Sequence, residues 1–239
     1  MSEIRLYPPL SAPMPFQMAL DEILFRKAME EKPSSALLRF YYASSPWISV
    51  GYAYAGWKEW EEGRSAAQAS RVPVCRRLTG GGEVLHGRDL MFTLIAPKDF
   101  DESFGSVRVS YWKIHEVLKA ALEELGCPPR FYRCDEELPK GRECFMFPIA
   151  TDLAFGNKKI AGGGQKRSLG MLLHQESIQF QPPCGFEDLA AAIEHQFARA
   201  FGAEIKEQHW DPDCLFRAEK LGQEKYEVNP AQAMSGGRS

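Results

Sequence analysis

The chain has 239 residues, 44% of them apolar and 26% charged, with a formal net charge of −3. That composition is ordinary for a globular protein, and a chain of this length buries about 70–75% of its unfolded surface with no need of a metal or disulfide. The net negative balance gives no reason to expect nucleic acid as a partner, so any electropositive feature must be local.

In chain order, Met14–Met29 places Met18, Leu20, Ile23, Leu24 and Met29 near helical spacing, with acids early and bases late, which predicts an amphipathic helix. Leu37–Tyr42 and Trp47–Tyr52 are short, aromatic and β-branched, and the Ser44-Ser45-Pro46 break between them predicts a pair of strands. Trp57–Ser70 is polar and helix-prone. Val72–Leu78 reads as a strand entering Gly80-Gly81-Gly82, with Glu83–Ile95 continuing as extended chain. Trp112–Leu125 sets Ile114, Val117, Leu118, Ala121, Leu122 and Leu125 on one helical face. Phe131–Phe147 is irregular. Thr151–Phe155 and Lys159–Ala161 predict a hairpin turning at Gly156-Asn157, Leu172–Phe180 a further strand, and Phe186–Phe201 a further amphipathic helix. Helices and strands mixed in this way, with strands mostly adjacent in sequence, predict an α+β fold. The expected organisation is one domain over 1–226 and a frayed tail over 227–239.

The six cysteines, Cys75, Cys127, Cys134, Cys144, Cys184 and Cys214, form no C-x-x-C pair and none has zinc-ligand spacing to a histidine. The N-terminus has no basic start followed by an apolar run, and no stretch approaches the ~20 apolar residues that span a bilayer. The expectation is a reduced, cytoplasmic protein with free thiols and no membrane contact.

Three segments carry chemistry. Arg76-Arg77-Leu78-Thr79-Gly80-Gly81-Gly82 ends a strand in glycines that let backbone N–H groups approach a ligand, with arginines upstream and His86 just beyond. It lacks the Gly-Lys-Ser/Thr of a P-loop. Lys158-Lys159-Ile160-Ala161-Gly162-Gly163-Gly164 repeats the theme with a lysine able to stabilise developing negative charge. Between residues 71 and 88 stand four arginines against one acid, and between 158 and 167 four bases and no acid; converging, they would make a basic patch for an acidic macromolecule. Cys144 sits in Glu143-Cys144-Phe145-Met146-Phe147-Pro148, reactive if a cation or helix N-terminus depresses its pKa and otherwise a buried thiol.

These segments, in this order, resemble the lipoate–protein ligase and octanoyltransferase family, whose catalytic domain is shared with biotin–protein ligases. Met18-Ala19-Leu20-Asp21-Glu22 resembles its first-helix motif, Leu38-Arg39-Phe40-Tyr41 through Ser49-Val50-Gly51-Tyr52 its first hairpin, Arg76–His86 its arginine–glycine–histidine signature, Lys159-Ile160-Ala161-Gly162 its lysine loop, and Glu224-Lys225-Tyr226 the Lys-Tyr that closes many members. Cys144-Phe145-Met146-Phe147-Pro148, with Lys159 fifteen residues on, is similar to the Cys-Phe-x-x-Pro segment of cysteine-dependent octanoyltransferases. Glu83, Gly163-Gly164 and Gln175-Glu176 depart from the family pattern.

The resemblance implies a mixed, largely antiparallel sheet of the class II synthetase and biotin–protein-ligase kind. It implies Cys144 and Lys159 as catalytic residues, with Arg77, Gly80, Gly81, Gly82, His86, Gly162, Gly163 and His174 binding substrate and no metal. An octanoyl or lipoyl group would pass from an acyl carrier protein thioester, through a Cys144 acyl-enzyme, to a lysine of a lipoyl-acceptor domain such as the glycine cleavage H protein or a dehydrogenase E2 subunit. That route needs no cofactor. The rival ligase reading needs ATP and Mg and makes Cys144 a bystander, and a third reading is a non-catalytic carrier-binding relative.

Overall fold

The structure is a computed structural model that describes residues 2–53, 72–132 and 151–226. Its strands are β1 (Ser2–Ala12), β2 (Ala36–Ala43), β3 (Trp47–Val50), β4 (Val74–Arg76), β5 (Glu83–His86), β6 (Leu90–Pro97), β7 (Arg130–Phe131), β8 (Leu153–Phe155), β9 (Lys158–Ser168), β10 (Met171–Ile178) and β11 (Ala203–Glu207). The helices are α1 (Met14–Glu31), α2 (Val107–Glu124), α3 (Phe186–Phe201) and α4 (Pro212–Leu221).

Eight strands form one sheet in the order β11-β1-β2-β6-β10-β9-β8-β7, and β4-β3-β5 form a small second one. In the large sheet β1 runs parallel to β2 and β11, while the remaining pairings are antiparallel, so the sheet is mixed and largely antiparallel as the family resemblance implies. One face packs Phe92, Leu94, Leu172 and Ile178 against α2 and α3 through Ile114, Leu118, Ile193 and Phe197. The other packs Met91, Ile95 and Leu173 against α1 and, beyond it, Ala218 and Tyr226. Both faces of β6 and β10 are covered, and every residue of these two strands is buried.

Several local expectations change. β2 and β3 are not paired: β2 lies between β1 and β6, whereas β3 pairs with β4 and β5 in the small sheet. The sequence break Ser44-Ser45-Pro46 is thus a crossing between sheets. Glu83–Ile95 is not one strand, because Gly87 adopts φ 125° and redirects the chain from the small sheet to the large one. The glycines 162–164 lie inside β9 and are no loop. Helix α2 begins at Val107, ahead of Trp112, where the exposed Val107 and Val109 break the apolar periodicity. Helix α3 has its expected bounds, with Glu187 and Asp188 in its first turn, Arg199 in its last and Gly202 at φ 54° ending it. The helix-prone segment Trp57–Ser70, most of the irregular Phe131–Phe147 and the tail after Tyr226 lie outside the described residues. Among the described residues no helix is long and apolar enough to cross a membrane.

Candidate active site

The two glycine segments meet. A Cβ on Gly164 of β9 would lie 2.8 Å from the Thr79 hydroxyl and 2.9 Å from the Gly80 carbonyl, and one on Gly51 would lie 2.1 Å from the Gly81 carbonyl. The absence of side chains at 51 and 164 therefore lets the loop after β4 lie directly on the strand. Arg77 is buried and braces that loop: its Nη2 donates to the Gly80 carbonyl at 2.8 Å, and its Nη1 to the Ser49 carbonyl and hydroxyl, each at 3.1 Å. Thr79 donates to Gln175 Oε1 at 2.9 Å, and Gln175 Nε2 donates to Asp21 at 2.6 Å. Asp21 also accepts from Arg39 Nε and the Thr93 hydroxyl, each at 2.7 Å, so a fully buried polar chain ties α1, the sheet and the loop together. Gln175, a departure from the family pattern, is the link.

Where these pieces converge is a cavity of about 30 Å³, whose lining residues include Arg77, His86, Ser49, the glycines 162–164 and Met14, Met18 and Met91. Its volume corresponds to about two waters. A longer guest requires the methionines to swing aside, which three rotatable bonds per side chain permit.

His86 stands between two partners that the sequence pattern alone does not single out. Its Nε2 is 2.7 Å from the Ser49 hydroxyl and its Nδ1 2.7 Å from Asp89 Oδ2. Asp89 Oδ2 also accepts from the Ser177 hydroxyl at 2.7 Å, and Oδ1 from the Gly87 amide at 3.0 Å. Burial pushes the Asp89 carboxyl up, but the His86 imidazole and these donors outweigh it and hold it below its ordinary value. A carboxylate fixed on Nδ1 leaves Nε2 to accept the Ser49 proton. A Ser and an Asp near the histidine signature were the available signal, but only the β3–β5 pairing brings Ser49 to His86.

Lys159 and His174 lie behind that cavity's lining. The Lys159 ammonium is buried 2.7 Å from Asp152, whose other oxygen lies 3.3 Å from the Tyr111 hydroxyl of α2. His174 stacks on Phe92 at 5.9 Å and lies beside Tyr111, on the α2 face of the sheet. Neither Lys159 nor His174 is among that cavity's lining residues, although a Cβ on the lining Gly163 would lie 2.9 Å from the His174 ring. His174 Nε2 instead donates to Glu176 Oε2 at 2.8 Å, and His115 Nε2 reaches the same oxygen at 3.3 Å. Burial would raise Glu176, yet the two imidazoles hold it at about 2. Burial disfavours a charged His115, but Glu176 and Asp152 outweigh it and its pKa rises, whereas burial wins at His174 and its pKa falls. Beside the Glu176 carboxylate the protonated form is thus favoured at His115 and the neutral form at His174. Gly163 makes room for that carboxylate, since a Cβ there would fall 2.2 Å from Glu176 Oε2.

Cys144 lies outside the described residues. Of the described thiols, Cys75 is fully buried and pushed up to about 12 by that burial, Cys127 and Cys214 are half-buried, and Cys184 is exposed. The two basic segments do converge on the surface. The exposed Tyr52 ring has the Arg76 guanidinium 4.8 Å from its centre and the Lys166 ammonium 5.4 Å away. A larger, open groove of about 660 Å³ runs between α1 and α4, but its walls carry charges of both signs and no residue singled out as catalytic or substrate-binding reaches it. No group of three His, Cys, Asp or Glu side chains among the described residues is placed to hold a metal.

The family described as the lipoyl protein ligase A/B catalytic domain matches residues 13–206. The chain belongs to that family. This lipoyl protein ligase A/B catalytic domain is 33% identical over 171 residues to the octanoyltransferase LipM of Moorella thermoacetica, covering 67% of this chain and 59% of that protein. It is 32% identical over 170 residues to the LipM of Bacillus subtilis, covering 68% and 60%. The chain thus spans about three-fifths of the length of the curated relatives it matches. The fold is that of a lipoate-protein ligase A solved with ATP (TM-score 0.74, 18% identity, 98% and 99% of the two chains). It is also that of a bi-partite lipoate protein ligase from Thermoplasma acidophilum (TM-score 0.70, 17% identity, 100% and 99%). In this lipoyl protein ligase A/B catalytic domain the first-helix and closing motifs touch: Glu22 accepts from Lys225 Nζ at 2.7 Å and from the Tyr226 hydroxyl at 2.5 Å.

Proposed function

We propose that the protein transfers an octanoyl group from an acyl carrier protein thioester to a lysine of a lipoyl-acceptor domain, by way of an acyl-enzyme on Cys144. The observation that carries the reading is the likeness to the LipM octanoyltransferases, joined to the Cys-Phe-x-x-Pro segment at 144–148 and the lysine at 159. The Cys144 thiolate attacks the thioester carbonyl, the carrier thiol leaves, and the acceptor amine then displaces Cys144 to form the amide. Backbone N–H groups of the glycine segments are the donors for the oxyanion, each such donor contributing about 2.7–4 kcal/mol where this has been measured. Met14, Met18 and Met91 in the cavity's lining supply an adaptable place for the start of the acyl chain. The Arg76–Tyr52–Lys166 cluster faces outward as a basic patch on which the acidic surface of a carrier or acceptor domain docks. The protein acts in the cytoplasm, and neither ATP nor a metal takes part.

The test is transfer of octanoate from octanoyl carrier protein to a purified lipoyl domain with ATP withheld. Amide formation by the wild type and its loss in Cys144→Ser is the expected result. Product that appears only with ATP, together with released AMP, selects the ligase reading instead.

A further inference from the structure

Between α1 and α4 the groove of about 660 Å³ reaches down to the sheet, where Arg5 and Tyr7 of β1 and Leu37 of β2 line it. Its volume is that of a small-molecule site. Among the described residues it shares no lining with the cavity around His86, so its occupant is a question independent of acyl transfer.

Depth sorts the lining by chemistry. The rim is exposed and charged, and most of its charges are matched: Lys27 lies 3.8 Å from Glu31, Lys220 3.9 Å from Glu224, Arg217 3.9 Å from Asp213 and Arg26 2.5 Å from Glu22. Asp211 accepts from the Asp213 amide as the cap of α4, and Glu30 and His209 are exposed. Inside the rim the lining is apolar. Ile23, Leu24, Ala28 and Leu37 are buried, and Tyr7 packs against Trp210 with ring centres 4.5 Å apart. The Trp210 indole N–H is already given to the Pro8 carbonyl at 2.9 Å, so it has no donor left for a guest.

One polar group interrupts this lining. Arg5 is half-buried, its Nε is buried without a hydrogen-bond partner, and its Nη groups donate to no described residue. Of the five lysines and arginines that line the groove, it alone has no ion pair among the described residues. A guanidinium held half out of water is matched best by a carboxylate, which accepts two parallel N–H bonds from its planar fork. One unmatched cation calls for one negative charge, and the rim acids disfavour a dianion such as phosphate. A hydrocarbon chain asks nothing polar of the apolar interior, whereas a peptide would bury its amides there unpaired.

We propose that this groove binds a free fatty acid of medium chain length, its carboxylate on Arg5 and its chain along Ile23, Leu24 and the Tyr7–Trp210 pair. The binding is non-covalent, and the site is separate from the one that carries out acyl transfer.

Cys214 supplies the reporter, because it lines the groove and is half-buried, whereas Cys184 is exposed and outside the lining. Sodium decanoate, kept below its critical micelle concentration, is added to the full chain and the alkylation rate of each cysteine is followed by peptide mapping. The expected result is Cys214 slowed about tenfold when decanoate stands at about ten times its dissociation constant, with Cys184 unchanged. Decanol, which has the chain without the charge, and acetate, which has the charge without the chain, should each protect far less. Arg5→Met should weaken decanoate protection by about 10–100-fold. Equal protection by decanol, or undiminished decanoate protection in Arg5→Met, overturns the carboxylate's place on Arg5. Equal protection by acetate overturns the chain's place in the groove. No protection of Cys214, or equal slowing of Cys184, overturns the site altogether. Should Arg5→Met not fold, the wild-type comparison of decanoate with decanol decides the matter without a variant.

Discussion

Arg39 is the side chain whose loss the fold should feel most. It is fully buried in β2, donates from Nε to Asp21 at 2.7 Å, from Nη1 to the Gln17 side chain at 2.7 Å and from Nη2 to the Gln17 carbonyl at 2.9 Å, and lies 4.1 Å over the Tyr41 ring. Arg39→Met keeps much of the volume and removes the charge. Asp21 then keeps only the Thr93 hydroxyl and the Gln175 amide as donors, an anion buried without a cation. Breaking one partner of such a pair costs about 3–5 kcal/mol. For a chain of this size each kcal/mol moves the midpoint by about 2–4 °C, so Tm should fall by roughly 6–20 °C. Adding Asp21→Asn removes the stranded charge, and the double variant should melt above Arg39→Met alone. Circular dichroism melts of the three proteins decide it. A fall of less than about 1 kcal/mol in Arg39→Met, or a double variant that melts lower still, refutes the claim that the buried pair organises the helix–sheet contact.

Further outcomes concern the site. Gly163→Ala places a methyl 2.2 Å from Glu176 Oε2 and 2.7 Å from the Gln175 carbonyl, so it should cost about 1–3 kcal/mol in a denaturant titration, and Glu176→Gly should recover part of that loss. Glu176 is held at about 2 in the folded chain against an ordinary value of 4.5. Its pairing therefore stabilises above pH 4.5 and is lost as pH falls through about 2, and Glu176→Gln should flatten the acid limb of stability against pH. His115 has the opposite sign: its raised pKa gives stability that is complete below the unfolded value and fades as pH climbs through the folded one. Alkylation of the native protein followed by peptide mapping should label the exposed Cys184 early and Cys75 last, since burial keeps Cys75 protonated at neutral pH.

Much of the architecture was legible because it rests on local signals. Phe186–Phe201 carries its own periodicity, acidic first turn and glycine stop, and the Gly156-Asn157 turn announces its hairpin. What stayed hidden depended on distant partners. β1 contains Pro8 and Pro9 and forms only by pairing in parallel with β2 and β11, and Trp47–Val50 joins a different sheet from the strand just before it. The glycines 162–164 look like a loop because their reason for being small is another segment, Thr79–Gly80, and a glutamate on the neighbouring strand. The site divided in the same way. Whether the two glycine segments converge was left open by the sequence, and Ser49 and Asp89 gain meaning only from the 2.7 Å contacts on either side of the imidazole.

The central claim is that the acyl group rests on one particular sulfur. Intact-mass analysis after incubation with octanoyl carrier protein, with ATP absent, followed by peptide mapping, tests it most directly. A single octanoyl adduct on the peptide holding Cys144, absent from Cys144→Ala, is the predicted result. An unmodified wild type, or an adduct carried by Cys127, Cys184 or Cys214 instead, contradicts it.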